Sequence, residues 1–404
     1  MHPTPAPVVR PARGTTGRRG VGVIGTAALA GDYADDLLLA TARDVHGAFA
    51  RRMFGLTGYL SGGSTRRPQA VHDTLYGTLY RGISVSLRVA AAGLRAVERR
   101  GVGPALEDTS RGRLVLSAVN GFLGDRLAEE RPEFAIPLAV RAHGHDVPLD
   151  AKHLAAAFPD ATGDVVVFLH GLGENDESWN RGRDEHGGTY GSRLLAETSW
   201  TPVYLRANTG LPIAENGVAL AALLQQLVTS WPTEVRRIAL VGHSMGGLIL
   251  RSACAVRTDE ESPWTDRVTD VVTLGSPHLG APLERTVSVG ARALGVLPES
   301  APFGRILDYR SRGILNLRHG LAADVQHLPH ARYHLVAATL TRSHRHPVSE
   351  VLGDLLVRYP SAVGRPRRGP EMFPGADILH VPATGHLALL NHPDVSAALR
   401  GWLR

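Results

Sequence analysis

Cysteine is almost missing from the 404 residues: Cys254 is the only one. A single thiol excludes an internal disulfide framework and every multi-cysteine metal or iron–sulfur motif, and it fits a chain made in a reducing compartment. Lysine is as scarce. Lys152 stands alone, so 43 of the 44 basic residues are arginine, a bias more easily traced to a GC-rich genome than to a chosen partner. No apolar run reaches the roughly 18–20 residues that a membrane-spanning helix requires. There is also no G-x-x-x-x-G-K-[ST] to cradle a nucleotide's phosphates.

The formal charge is +6, which raises the question of a nucleic-acid or membrane-surface partner. Its distribution narrows the answer. Residues 1–130 hold 17 basic and 11 acidic side chains, whereas 131–404 hold 27 of each. A neutral main segment without a groove-reading element argues against nucleic acid, and leaves a peripheral membrane contact through N-terminal basic helices as an expectation. Residues 20–30 have the outline of an Arg-flanked apolar segment ending in Ala28-Leu29-Ala30. The stretch is short and glycine-containing, so a cytoplasmic protein is the preferred reading over an exported one.

Residues 1–31 are expected to form a disordered basic tail, since the first twenty are rich in Pro, Gly and Arg and cannot offset the entropy cost of ordering. From 32 to 130 the spacing predicts a helical N-terminal extension. Leu38, Ala42, Val45, Phe49, Met53, Leu56 and Leu60 recur every three or four residues, and Val71 to Val97 continue the pattern after a Ser-Gly-Gly-Ser loop. A third helix is expected over 113–130. At Phe134 the period changes to two, and Phe134 to Val140, His143-Gly144-His145 and then Val147 to Leu149 predict an antiparallel hairpin.

Beyond it, apolar runs of strand type alternate with helical patterns. Strands are expected at 165–169, 202–205, 238–241, 271–274, 334–338 and 378–381, and helices at 217–230, 246–257 and 386–403. Such alternation over 131–404 predicts an α/β fold with a doubly wound, mostly parallel sheet. An insertion at 283–330 contains Val287, Val289, Leu294, Val296, Leu297, Phe303, Ile306 and Leu307, a composition suited to a cap over an apolar pocket.

The strand at 238–241 runs into Gly242-His243-Ser244-Met245-Gly246-Gly247 and then a helix, which is G-x-S-x-G in its strand–turn–helix context. Gly242 and Gly246 fall where a Cβ would obstruct the close approach of strand and helix. A turn of this kind lifts the Ser244 hydroxyl above the sheet. A serine needs a histidine to take its proton and a carboxylate to orient that histidine. After the last strand the well-placed histidine is His386, in Thr384-Gly385-His386; His392, placed one to two turns into the final helix, is read as structural. For the carboxylate, Asp354 in Gly353-Asp354-Leu355 is preferred over Glu350, with Asp377 a further rival at the wrong end of a strand. His170-Gly171-Leu172-Gly173 closes the strand at 165–169, so the Leu172 and Met245 amides are the expected oxyanion donors, with His170 and Gly171 shaping the loop.

Other patterns carry less. Gly20-x-Gly22-x-x-Gly25 has the letters of a dinucleotide fingerprint without the preceding strand. His327, His330, His334, His344 and His346 lack a metal-ligand spacing. Ser276 and His278, at a strand end, are expected to shape the pocket, and Cys254 to be a buried core thiol.

With these residues in hand, 131–404 resembles the α/β-hydrolase superfamily of lipase and esterase type, in the branch of the GPI inositol-deacylase-like domain. The likeness rests on His170-Gly171-Leu172, the Gly242–Gly247 elbow, Thr273-Leu274-Gly275-Ser276-Pro277-His278, Gly353-Asp354 with Leu356-Val357, and Gly385-His386. It implies Ser244 as nucleophile, Asp354 as acid and His386 as base. The implied activity is cleavage of carboxylic esters, with a hydrophobic or lipid-like ester as substrate and neither cofactor nor metal. An acyltransferase using the same three residues, and a non-catalytic scaffold that docks on membranes, are the alternatives.

Overall fold

A computed structural model describes residues 106–404, except 258, 281–310, 318–319, 321–324, 347–348, 351–352 and 367, together with the isolated positions 70, 85, 89 and 92. The expected basic tail, the two long helical stripes before residue 100, and most of the 283–330 insertion lie outside the described residues. The first element described at length is helix α1 (Ser110–Glu130), capped by the Thr109 hydroxyl, which accepts from the Gly112 amide. The hairpin β1 (Ala139–Ala142) and β2 (His145–Val147) follows. Its two-residue turn is His143-Gly144, with φ +52° and +79°, the left-handed pair that matches strand twist. Helix α2 (Ala151–Ala157) leads into β3 (Asp164–Leu169), then α3 (Tyr190–Glu197) and β4 (Trp200–Arg206). Next come α4 (Ile213–Ser230), β5 (Arg237–His243), α5 (Met245–Cys254) and β6 (Val268–Leu274). Short α6 (Arg312–Asn316), β7 (Arg332–Ala338), α7 (Tyr359–Ala362), β8 (Asp377–Val381) and α8 (Pro393–Trp402) complete the order.

The described strands form one sheet of eight in the order β2-β1-β4-β3-β5-β6-β7-β8. The hairpin strand β1 pairs antiparallel with β2 and β4, and every other pairing is parallel. This is the α/β architecture expected from the alternating pattern. In β3 all six residues are buried, which is why it reads as an unbroken apolar run. Its side chains alternate between two cores: Val165, Val167 and Leu169 meet α4 and α5, while Val166 and Phe168 meet Trp179, Tyr190 and the α8 side.

One expectation needs correcting. The helical pattern from 386 is not continuous: a 3-10 turn spans His386–Leu389, and α8 begins at Pro393. Asn391 at φ +62° breaks the run, and Pro393 takes the first helical position, where its missing N–H costs nothing. His392 is therefore the N-cap of α8, its ring accepting from the Asp394 amide, and not a residue one or two turns inside a helix.

Helix α1 sits against the loops that leave the carboxyl ends of β3 and β4. A Cβ on Gly121 would come within 2.7 Å of Gly173 Cα, and one on Gly124 within 1.9 Å of Asn208 Oδ1. Only glycine permits that approach. Asn120, fully buried, secures the helix to the following segment by accepting from the Ile136 amide and donating to the Phe134 carbonyl.

Candidate active site

The site is assembled where β3, β5, β6, β7 and β8 end. β5 is held on both sides in parallel register, with Gly242 opposite Leu169 of β3 and Thr273 of β6. The chain then turns at Ser244, at φ +52° and ψ −122°, a backbone region that disfavours a side chain and costs of order 1–3 kcal/mol. The turn persists because its surroundings fix it. The Ser244 amide donates to the Leu274 carbonyl at 2.8 Å. A Cβ on Gly242 would lie 2.5 Å from Gly247 N, and one on Gly246 would lie 2.4 Å from Leu169 O. Both glycines thus occupy the close approaches expected of them, and Ser244 is left partly exposed above α5.

Asp354 lies beyond β7 in a loop of unusual backbone: Gly353 at φ +60° and Leu355 at φ +93°. One carboxylate oxygen, Oδ1, accepts from the Leu356 and Val357 amides at 3.0 and 2.7 Å. The other, Oδ2, is left for His386 Nδ1 at 2.8 Å. A second tie, from the His386 amide to the Asp354 carbonyl at 3.0 Å, fixes the imidazole in both position and direction. Asp354 is 1% and His386 4% exposed, so the pair is held in a medium of low dielectric. His386 Nε2 is buried and has no hydrogen-bond partner among the described residues, which leaves it available to accept a hydroxyl proton. Glu350 is exposed. Asp377 is solvated at the amino end of β8 and faces His334.

His170 and Gly171 form the floor of the neighbouring loop. A Cβ on Gly171 would lie 3.0 Å from Ser244 Cβ, so the loop lies directly on the elbow. The Leu172 and Met245 amides donate no hydrogen bond among the described residues. His170 is fully buried; its Nε2 accepts from the Ala207 amide at 3.0 Å and its Nδ1 donates to the Gly171 carbonyl at 2.9 Å. That pattern requires a neutral ring, in keeping with burial, which holds His170 below the ordinary histidine range.

Two further polar residues stand at the site that no local sequence pattern marks. His243, inside the elbow, is fully buried, and its Nδ1 lies 3.0 Å from Glu174 Oε2. Glu174, four residues after His170, also accepts from the Gly171 amide at 2.8 Å. The nearest to a signal is a histidine closing an otherwise apolar strand and a carboxylate just past a His-Gly loop. Ser276 and His278 lie close by but face elsewhere. The Ser276 hydroxyl packs against Gly247, and His278 contacts Thr273 and Arg251, so they support α5 and β6. The five downstream histidines are scattered. His327 contacts Arg251, His330 the Thr265 carbonyl, His334 Asp270 and His344 the Tyr359 ring. Among the described residues no cluster of three or more His, Cys, Asp or Glu could hold a metal. Cys254 is buried at the end of α5, and burial pushes its thiol up to about 12.

Residues 161–300, about a third of the chain, match the family described as "Putative serine esterase (DUF676)". The match spans β3, the His170-Gly171 loop, the elbow and β6. Over that segment the chain is similar to a family described as serine esterases. Among solved structures, the chain is similar to mature lipase BlEst2 of Bacillus licheniformis, at 17% identity and a TM-score of 0.42, covering 66% of this chain and 97% of that one. It is also similar to esterase Pf2001 of Pyrococcus furiosus, at 16% identity and a TM-score of 0.37, covering 61% and 84% of the two chains. A third similar structure is the lin2722 gene product of Listeria innocua, at 16% identity and a TM-score of 0.38, covering 60% and 94%. No curated protein matches the chain.

Proposed function

We propose that the protein cleaves carboxylic esters of hydrophobic acyl groups through an acyl-enzyme, with Ser244 as nucleophile, His386 as general base and acid, and Asp354 orienting the imidazole. The observation that carries this reading is the 2.8 Å contact between Asp354 Oδ2 and His386 Nδ1, beside a serine held at positive φ at the end of β5. His386 Nε2 takes the proton as Ser244 Oγ attacks the carbonyl carbon, and the Leu172 and Met245 amides receive the oxyanion. Collapse of the tetrahedral intermediate expels the alcohol, which leaves with that proton. Water, activated by the same nitrogen, then attacks the acyl-serine and releases the acid. An apolar acyl group is favoured by the Val, Leu, Phe and Ile residues of the 283–330 insertion and by Leu387, which stands 39% exposed next to His386.

A fluorophosphonate probe and a p-nitrophenyl ester series from short to long chains test the reading together. Wild-type protein is expected to label at Ser244 and to prefer the longer esters. Absence of labelling, or equal labelling of Ser244→Ala, sinks the catalytic assignment; a preference for acetate over longer acyl groups sinks the substrate class alone.

A further inference from the structure

We propose that Glu174 and His243 are positioning residues of this site: an ion pair with His243 buried and Glu174 15% exposed, which joins the oxyanion loop, the elbow and the base, and cancels a carboxylate's repulsion where the oxyanion forms. The inference rests on the Ser244–His386–Asp354 reading and deepens it. His243 Nδ1 points at a carboxylate oxygen, Glu174 Oε2, at 3.0 Å, and its Nε2 points at the His386 carbonyl at 3.3 Å. Neither partner can donate, so both ring nitrogens carry hydrogen and the ring is an imidazolium. His170, one strand over, accepts at one nitrogen and is neutral; the two buried rings are set to opposite charge states by their partners. Burial opposes charge on both members of the pair, yet the Glu174 carboxylate raises His243 above its usual range and the His243 imidazolium holds Glu174 down at about 2.

The pair's placement gives it leverage. Glu174 Oε2 also holds the Gly171 amide at 2.8 Å, fixing the loop that carries Leu172. A Cβ on Gly171 would lie 3.0 Å from both Glu174 Oε2 and Ser244 Cβ, and 3.2 Å from His243 Nδ1. The His243 and His386 rings are 4.8 Å apart between centroids. Around His243 the titratable groups are Glu174 from the loop after β3, Asp354 from the loop after β7 and His386 from the loop after β8, with His170 behind Glu174. A carboxylate this close to Ser244, if unpaired, would oppose negative charge on the substrate oxygen and favour the proton on His386. The imidazolium removes that penalty while its second N–H fixes the His386 backbone.

The test is a charge-coupled cycle on full-length protein with a neutral p-nitrophenyl ester. His243→Asn leaves Glu174 unpaired and is expected to lower kcat about 10²-fold, the scale of losing one oxyanion donor. KM should change little, and the acid limb of the kcat/KM profile, set by His386, should move to higher pH. Glu174→Gln with His243→Asn, a neutral amide pair, is expected to regain about tenfold in kcat and return the limb towards wild type. Losses that multiply in the double variant, with an unmoved limb, overturn the proposal. Should His243→Asn not fold, Glu174→Gln decides: a wild-type kcat overturns it, and a fall of about tenfold at constant KM supports it. Wild-type enzyme lacking Ser244-dependent turnover would defeat the parent reading as well, whereas normal turnover with multiplicative losses defeats the pair alone.

Discussion

Two buried histidine–aspartate pairs stand at opposite ends of the same sheet. At the amino ends of β6 and β7, His334 Nε2 meets Asp270 Oδ1 at 2.9 Å, both groups 1% exposed. At the carboxyl ends, His386 Nδ1 meets Asp354 Oδ2 at 2.8 Å, with nearly the same burial. Distance and desolvation do not separate them; the rest of each ring does. His334 Nδ1 is 3.0 Å from the Asp377 carboxylate and its face stacks on Trp402, while Arg332 adds a bond to Asp270 at 3.1 Å. His334 Nδ1 makes no hydrogen bond among the described residues, but a carboxylate and an indole stand against the ring, at the end of the sheet away from Ser244. His386 keeps Nε2 buried and without a partner among the described residues, beside the elbow. Each ring thus keeps one nitrogen without a hydrogen bond, and what differs is what faces it: the Asp377 carboxylate in one case, the elbow in the other.

The largest effect expected from this comparison is at the carboxyl end. Ser244→Ala or His386→Gln should lower kcat by about 10⁵–10⁶-fold, on the scale of triad knockouts, with thermal melting close to wild type. Asp354→Asn should cost about 10⁴-fold, because Asn reverses the tautomer that His386 needs; Glu350→Gln should leave turnover unchanged, and comparable losses in the two would undo the choice of acid. At the amino end the effects should be thermodynamic. Asp270→Asn is expected to lower stability by about 3–5 kcal/mol, as a buried pair loses one charged member, with kcat/KM of the folded enzyme unaltered. Burial opposes ionisation of Asp270, but the His334, Thr269 and Arg332 hydrogen bonds outweigh it and lower its pKa. A lowered carboxylate contributes stability that is present above its unfolded pKa near 4 and lost as pH falls towards its folded value. Melting followed from pH 6 to 3 should therefore show a steeper acid decline in wild type than in Asp270→Asn. The smallest expected effect is none: iodoacetamide at neutral pH should leave activity intact, since the Cys254 thiol is buried and pushed up to about 12.

Much of this arrangement could be read from the chain. Unbroken apolar runs such as Val165 to Leu169 mark strands covered on both faces, and the glycines of the elbow mark a close approach, where a Cβ would lie 2.4–2.5 Å from the facing backbone. The turn before Asp354 was legible through Gly353, where a Cβ would strike the Val357 carbonyl at 1.9 Å. What was not legible depends on partners far apart in sequence. Nothing local distinguishes His170 from His243, and their opposite protonation follows from Ala207 and Glu174, brought in by other strands. The break before α8 was hidden for a similar reason. Leu387 to Leu403 keep a helical rhythm, but Asn391 leaves it to donate to the Trp179 and Arg181 carbonyls and accept from the Tyr190 amide, a clamp over 200 residues away in sequence.

The backbone of Ser244 has an evolutionary consequence. At φ +52° and ψ −122° the position would suit glycine better than any side chain, so the protein holds Ser244, the proposed nucleophile, at a standing cost in stability. Selection for turnover and selection for a lasting fold oppose each other at this one codon. A lineage released from the need to cleave esters would gain stability by replacing the serine with glycine, and would keep the sheet, the two loops and the acid–base pair as a record of a lost chemistry.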